Sequence, residues 1–559
     1  MEITAQYLPA WTRPLGAPKV TIAQGTLIGT NINDGTFPAY VEAFLGIPYA
    51  LPPQGELRYA RPVPVPASNQ SIDASKYGPR CPGKQLLRVG DGPDHYSEDC
   101  LTVNVFRQRG SASDGAKLSV AVYMHGGAFN RGTAKMHNTA SMVAWSAEPF
   151  VAISFNYRIG ALGFLNSAVT AKENLLNVGL RDQVLLLQWV KENVAAFGGD
   201  PNNVAIIGLS AGAHSIGHHI MNINSKEQLF HKAVMESGGP TSRAVHPYDS
   251  ELHKEQFHQL LSEVGCDEVS QNEVLQCLRS VPSEEIIAGS DTVFGKWNPS
   301  VRWAWQPVID DDLISRRPLE GWNSGRWNKV PILTGFNHNE GTMYVPKKMS
   351  QSNEFNDFFA TLLPQLSKED LKQLTQLYPD PSTHNDSPYV ETRNISVGLQ
   401  YKRVEAAYGQ YAYVCPVRQT ALLGSASQND PPIYLYHWAV NRTVEGGANH
   451  GDQMYYETMN PDVRNISPTQ AELAGFFHAY VTSFIVSGNP NTVLGRFGQR
   501  PEWKAFDNSD GIAGTMVFGE GNDERAGGSG QGITAQFVND QWAKEECDFW
   551  WKESGNWED

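Results

Sequence analysis

Gly208-Leu209-Ser210-Ala211-Gly212 constrains this chain more than any other stretch. Before it, Val204-Ala205-Ile206-Ile207 is a short, apolar, β-branched run that reads as a buried strand. After it, Ala213 to Ile220 can continue as a helix. A Gly-x-Ser-x-Gly between a strand and a helix makes a sharp, strained turn. Its neighbours must be small, and it lifts the serine oxygen clear of the sheet. The following helix aims its N-terminal amides at the same spot and favours negative charge there. A chain with 51 Gly meets the five-residue pattern by accident, so the weight lies on this context and on the partners a reactive serine requires.

Those partners are a base, an acid that orients the base, and N–H donors for an oxyanion. The strand Leu118–Met124 ends at His125-Gly126-Gly127-Ala128-Phe129, where small residues let backbone amides approach a ligand. Gly127 and Ala128, with Ala211, are the candidate donors; an ordinary glycine turn is the plain alternative. In chain order the acid should follow the serine, and the histidine should follow the acid. Glu340 lies just beyond the strand Val330–Phe336, and His450 lies in the Gly-rich loop Glu445–Gly451 after the strand Ile433–Trp438. His437 sits inside that last strand and reads as a packed side chain. His214, His218 and His219 share the helix behind the serine; neighbouring positions 218 and 219 point to different faces, which argues against a metal site. No metal and no organic cofactor is expected.

The remaining periodicities alternate strand with helix. Phe150–Tyr157 and Lys232–Glu236 read as strands, and Asp182–Ala196 and Gln470–Val486 as helices, with Gly198 a natural helix stop. This is the rhythm of an α/β fold with a mostly parallel sheet. Thr21–Gly29 reads as a small hairpin arm, continued by Ala43–Ala50. Residues 245 to 330 and the stretch to about 425 read as helices and loops, and the chain end as polar. No linker divides the 559 residues, so one domain over 1–559 with insertions is expected. The 41% hydrophobic content is ample for its core. A net charge of −15 argues against nucleic acid and anionic membrane surfaces, and no apolar run is long enough for stable membrane insertion.

The N-terminus has no basic or apolar leader. Even so, six cysteines and five sequons, at Asn69, Asn385, Asn394, Asn441 and Asn465, favour a secreted glycoprotein whose signal peptide is missing from this sequence. The loop between Cys81 and Cys100 carries Leu86, Leu87 and Val89 among charged residues and would make a poor apolar lid. Six cysteines allow fifteen pairings.

Several further stretches carry a family resemblance: Phe44–Ala50, Ser97–Val105, Asn156-Tyr157-Arg158, Asn177–Gln183, Phe197–Pro201, Glu236-Ser237-Gly238, Asn339-Glu340-Gly341 and His450-Gly451. With the loop at 125–127 and the serine turn, they run nearly end to end. The chain resembles the type-B carboxylesterase/lipase family, the cholinesterase-like α/β-hydrolases, and its secreted fungal members in particular. The resemblance implies Ser210, Glu340 and His450 as a triad and Gly127, Ala128 and Ala211 as the oxyanion hole. Leu209, Ser237 and Gly126 would lie directly behind the reacting groups. It also implies the pairs Cys81–Cys100 and Cys266–Cys277, with Cys415–Cys547 remaining.

Two departures stand out. The family usually has Glu where this chain has Leu209, and the cholinesterases carry a Trp for quaternary ammonium in the first disulfide loop, where this chain has none. The expected reaction is therefore serine-dependent hydrolysis of neutral carboxylic esters, with altered pH dependence and weak activity on cationic substrates. The expected partner is a small ester, and a homodimer is left open. The alternatives are a lipase or sterol esterase on long-chain esters, a specialised esterase or dehydratase acting on a secondary metabolite or toxin, and a non-catalytic binding module of this fold.

Overall fold

The computed structural model describes residues 16–83, 95–112, 115–225, 227–242, 245–297, 303–392, 395–507 and 514–557. Eleven strands form one sheet. In spatial order they are Ile533–Asn539, Gly514–Glu520, Ile433–Trp438, Ile332–Asn337, Lys232–Glu236, Gly199–Leu209, Leu118–Met124, Val151–Phe155, Thr102–Gln108, Val41–Pro48 and Thr30–Ile32. From Gly514–Glu520 to Val151–Phe155 the strands run parallel. Both edges are antiparallel.

Parallel strands need cover on both faces, and their residues are apolar nearly throughout. Along Gly199–Leu209 the two faces separate with period two. Val204 and Ile206 join a core with the helices Val178–Asn193 and Ala211–Met221. Ala205, Ile207 and Leu209 join a second core with Thr139–Trp145 and Pro468–Ser487. The latter helix starts at Ser467, whose side chain accepts from Gln470 N–H, and stops at Gly488 with φ +78°. Gly198 stops the turn after Val178–Asn193 in the same left-handed conformation.

Three sequence readings change. Val41–Pro48 does not continue the hairpin of Lys19–Ile22 and Gly25–Ile28; it pairs with Thr102–Gln108 in the large sheet. Thr102–Gln108, Thr30–Ile32 and the short Ser71–Asp73 are added strands. The polar chain end supplies the two strands of one sheet edge and the helix Lys544–Trp557. Edge strands carry polar residues on their open side, so composition hides them. The insertions are helical, from Glu251–Glu263 to Ser283–Lys296 and from Ser352–Leu362 to Cys415–Gly424. Disulfides join Cys81–Cys100, Cys266–Cys277 and Cys415–Cys547, with Cα atoms 5.0, 6.0 and 5.0 Å apart.

Candidate active site

The strand Gly199–Leu209 lies in the middle of the sheet and delivers Ser210 at its C-terminal end. Ser210 has φ +59° and ψ −124°, a conformation costly for a residue with a Cβ. The turn closes so tightly that a Cβ on Gly208 would stand 2.6 Å from Gly212 C, and one on Gly212 would stand 2.1 Å from Met124 O. Both glycines are therefore steric requirements. Ser210 N–H donates to Glu236 O at 2.9 Å, so that amide is spent on the sheet. The next amide, Ala211, opens the helix and has no intrahelical acceptor.

Beside it runs the loop after Leu118–Met124. A Cβ on Gly126 would stand 2.5 Å from Leu209 O and 3.1 Å from Ser210 Cβ, which places the loop against the serine. Gly127, Ala128 and Phe129 have successive positive φ values of +111°, +55° and +59°. Two of these residues carry side chains, so this is strain stored at one spot. The strain is held from outside: Ala128 O accepts from Asn130 Nδ2 at 2.8 Å and Gln306 Nε2 at 3.0 Å. Tyr157 OH donates to His125 O at 2.7 Å. With the carbonyls so engaged, the amides of Gly127, Ala128 and Ala211 form no hydrogen bond among the described residues.

Glu340 and His450 come from neighbouring loops that are sewn together. Asn339 and Asn449 form a parallel bridge, with Asn339 N–H donating to Ala448 O at 2.9 Å and Ala448 N–H to Asn339 Oδ1 at 3.0 Å. Asn337 Nδ2 adds donation to Asn449 O at 2.5 Å. Glu340 is buried, accepts from Asn337 N–H at 2.7 Å through Oε1, and meets His450 Nδ1 at 2.5 Å through Oε2. His450 Nε2 is buried without a hydrogen-bond partner among the described residues. A Cβ on Gly451 would stand 3.2 Å from Leu209 Cδ2, so the histidine loop rests on the residue just before Ser210. An oriented imidazole with a free nitrogen, unused amides and a strained serine can together transfer a proton and hold an oxyanion.

Tyr413 and Tyr344 wall the histidine, with ring centroids 4.4 and 5.6 Å from His450. Tyr413 lies in a π-helical turn, Gln410–Val414, a widening that recurs at functional sites. Below Gly341, Glu405 accepts from its N–H at 3.2 Å; burial pushes this carboxyl up to about 7.

Sequence reasoning missed a second acidic group behind the serine. Glu236 is the register partner of Leu209 on the next strand and is fully buried. It shares a hydrogen bond with Glu457, which meets His137 Nε2 at 2.8 Å. Burial, and the charge of Glu457, push Glu236 well above the carboxylate range. Burial takes Glu457 up to about 7 and His137 down to about 4. The Glu457–His137 contact is thus a hydrogen bond to a neutral imidazole, with the carboxyl of Glu236 facing Glu457 behind it. Gln453 lies close to Glu236 and accepts from Asn337 Nδ2 at 2.8 Å, which places this cluster beside the Glu340 loop.

The other candidates fall as follows. Ser237 is buried next to Glu236, with φ +49° and N–H donating to Gly335 O at 2.8 Å. His437 is buried in its strand against His338 and Asp540. His219 bonds Gln183 at 2.8 Å. Among the described residues no cluster of three His, Cys, Asp or Glu suits a metal, and no helix is long and apolar enough to cross a membrane. Asn69, Asn385 and Asn465 are exposed and Asn441 is half-buried, while Asn394 and the loop residues Leu86, Leu87 and Val89 lie outside the described residues.

The carboxylesterase family model matches residues 16–535. Secreted lipase 4 of Gibberella zeae is 34% identical over 536 residues, covering 95% of this chain and 91% of that protein. Lipase 1 of Geotrichum candidum is 31% identical over 492 residues, covering 79% and 85%. Acetylcholinesterase of Bungarus fasciatus is 28% identical over 509 residues, covering 88% and 82%. The crystal structure of Aspergillus niger EstA superposes with a TM-score of 0.80 at 26% identity, over 97% of this chain and 99% of that one. Sheet, turn and likeness agree: the chain belongs to the carboxylesterase family and is a carboxylester hydrolase of the α/β-hydrolase fold.

Proposed function

We propose that Ser210, His450 and Glu340 hydrolyse carboxylic esters through an acyl-enzyme. Ser210 Oγ bonds to the ester carbonyl carbon while its proton passes to His450 Nε2. The carbonyl oxygen becomes an oxyanion that accepts from the amides of Gly127, Ala128 and Ala211. Glu340 accepts from Nδ1–H and stabilises the imidazolium. Collapse of the intermediate breaks the bond to the alkoxy group, which leaves as alcohol with the Nε2 proton. Water then loses a proton to His450 as it bonds to the acyl carbon, and the bond to Ser210 Oγ breaks as His450 returns that proton to Oγ, releasing the acid. Each oxyanion donor is worth roughly a hundredfold or more in rate.

The observation that carries this reading is the Glu340–His450 contact of 2.5 Å with Nε2 left unpartnered beside the serine turn. Uncharged esters suit it. Leu209 puts an apolar side chain where the cholinesterase-like pattern has a carboxylate, so cationic esters lose an attraction. Secretion is part of the reading: three disulfides persist in an oxidising compartment. A relative named a secreted lipase agrees with it. The lipase names of the relatives also favour a second reading, a preference for long acyl chains.

Hydrolysis of p-nitrophenyl esters from acetate to palmitate, by the wild type and by Ser210→Ala, tests both. Serine-dependent activity is expected, falling at least a thousandfold in the variant, by analogy with triads generally. A maximum at short chains supports the esterase reading and one at long chains the lipase reading. Equal rates with and without the serine oxygen would overturn the mechanism.

A further inference from the structure

Arg131 follows the candidate oxyanion loop directly. Its N–H donates to Gly127 O at 3.1 Å, and its Cγ lies 3.1 Å from where a Cβ on Gly127 would stand. The side chain is half-buried, yet it forms no ion pair among the described residues, and its Nε is buried without a partner. The guanidinium lies 5.7 Å from the Phe294 ring centroid. That ring is the far end of a chain of aromatic contacts: Phe294 to Trp303 at 5.9 Å, Trp303 to Tyr344 at 5.8 Å, and Tyr344 to His450 at 5.6 Å. Its charge interacts with the phenols of Tyr344 and Tyr413 and with Asp291. A cation is therefore built into an aromatic wall of the serine site with unused donor capacity.

Withdrawing a guanidinium from water costs free energy unless an anion meets it. The acids nearest the serine do not meet it: Glu340 is engaged by His450, position 209 is Leu, and Glu236 faces Glu457. An overall charge of −15 repels anionic small molecules at long range, so a preference for them requires a local cation of this kind. Guanidinium binds carboxylate through paired N–H donors, which sets orientation as well as attraction.

We infer that Arg131 selects esters that carry a carboxylate on a short tether from the scissile carbonyl, by pairing with that carboxylate while the ester sits in the Ser210 site. The inference rests on the esterase reading above and gives it a substrate class. It makes Arg131 a specificity residue; the bond-breaking steps are unchanged.

The test compares the mono-p-nitrophenyl ester of glutaric acid with its methyl-capped diester, and 4-acetoxybenzoate with its methyl ester. The first pair places the carboxylate on the acyl side and the second on the leaving group. Wild type should prefer the anionic member of at least one pair in kcat/KM. In Arg131→Met the ratio of anionic to neutral kcat/KM should fall on the order of tenfold to a hundredfold, with Arg131→Lys between. Glutarate should inhibit hydrolysis of the neutral ester by the wild type competitively. Should Arg131→Met fail to fold, the wild-type preference and glutarate inhibition decide alone. Ser210-dependent hydrolysis with no anionic preference in either pair and no glutarate inhibition overturns the inference and leaves the esterase reading standing. No hydrolysis of any of the four esters overturns both.

Discussion

Two carboxyl–imidazole contacts sit on either side of the serine turn and do opposite things. Glu340–His450 and Glu457–His137 have similar lengths, 2.5 and 2.8 Å, and all four side chains are buried. Their neighbours differ. Glu340 takes a backbone N–H on its other oxygen, and His450 keeps one nitrogen without a partner among the described residues. Glu457 faces a second carboxyl, Glu236, and His137 spends its other nitrogen on Thr139 at 3.0 Å. In the proposed mechanism the first pair accepts a proton from the serine. The second can only share one internally. A distance alone does not identify a catalytic pair; the free valence and the sign of the surrounding charge do.

The comparison breaks most sharply at Glu340. Glu340→Gln should lower kcat/KM by roughly a thousandfold to ten-thousandfold, because the amide no longer stabilises the imidazolium. Glu457→Gln should stay within about tenfold, since it touches no reacting atom. Equal losses in the two variants would mean the assignment of roles is wrong. Leu209→Glu comes next. It adds a carboxyl beside Glu236 with no cation to pair it, and should cost about 1–3 kcal/mol of stability by denaturant unfolding. It should also raise turnover of choline esters relative to uncharged ones, and failure to do so would remove the explanation given for Leu209.

The smallest effect is a pH slope. Glu457 is raised from its ordinary 4.5 to about 7 in the folded protein. The folded state therefore holds more protons than the unfolded state between those values. Its contribution to stability is fully present below the lower value and is lost as pH rises through the upper one. Glu457→Gln should flatten the fall in Tm between about pH 4.5 and pH 7 by a few degrees, on the usual scale for a chain of this size.

The serine turn was legible because its constraints are steric and local. Only glycine survives at 208 and 212, and the β-branched run before them announces the strand. Glu340 and His450 could be placed because each follows a short apolar strand. The Glu236–Glu457–His137 cluster could not be read, because the histidine and Glu457 are 320 residues apart and each acid alone resembles a solvated one. The π turn at Gln410–Val414 has no signature in a helical period. Gly514–Glu520 was hidden in a tail whose average polarity outweighed a short run that is six-sevenths buried.

The Cys415–Cys547 bridge has a consequence for biosynthesis. Cys415 follows the π turn that sets Tyr413 against His450, and its carbonyl accepts from Trp551 Nε1 at 2.8 Å. The wall of the site is thus bolted to a helix that emerges from the ribosome 132 residues later. Ser210, the strained loop and both partner loops leave the exit tunnel well before their surroundings are complete. A nascent chain can carry every reacting group and still lack a finished pocket, which would keep the hydrolase idle until synthesis and oxidation have both run to the end.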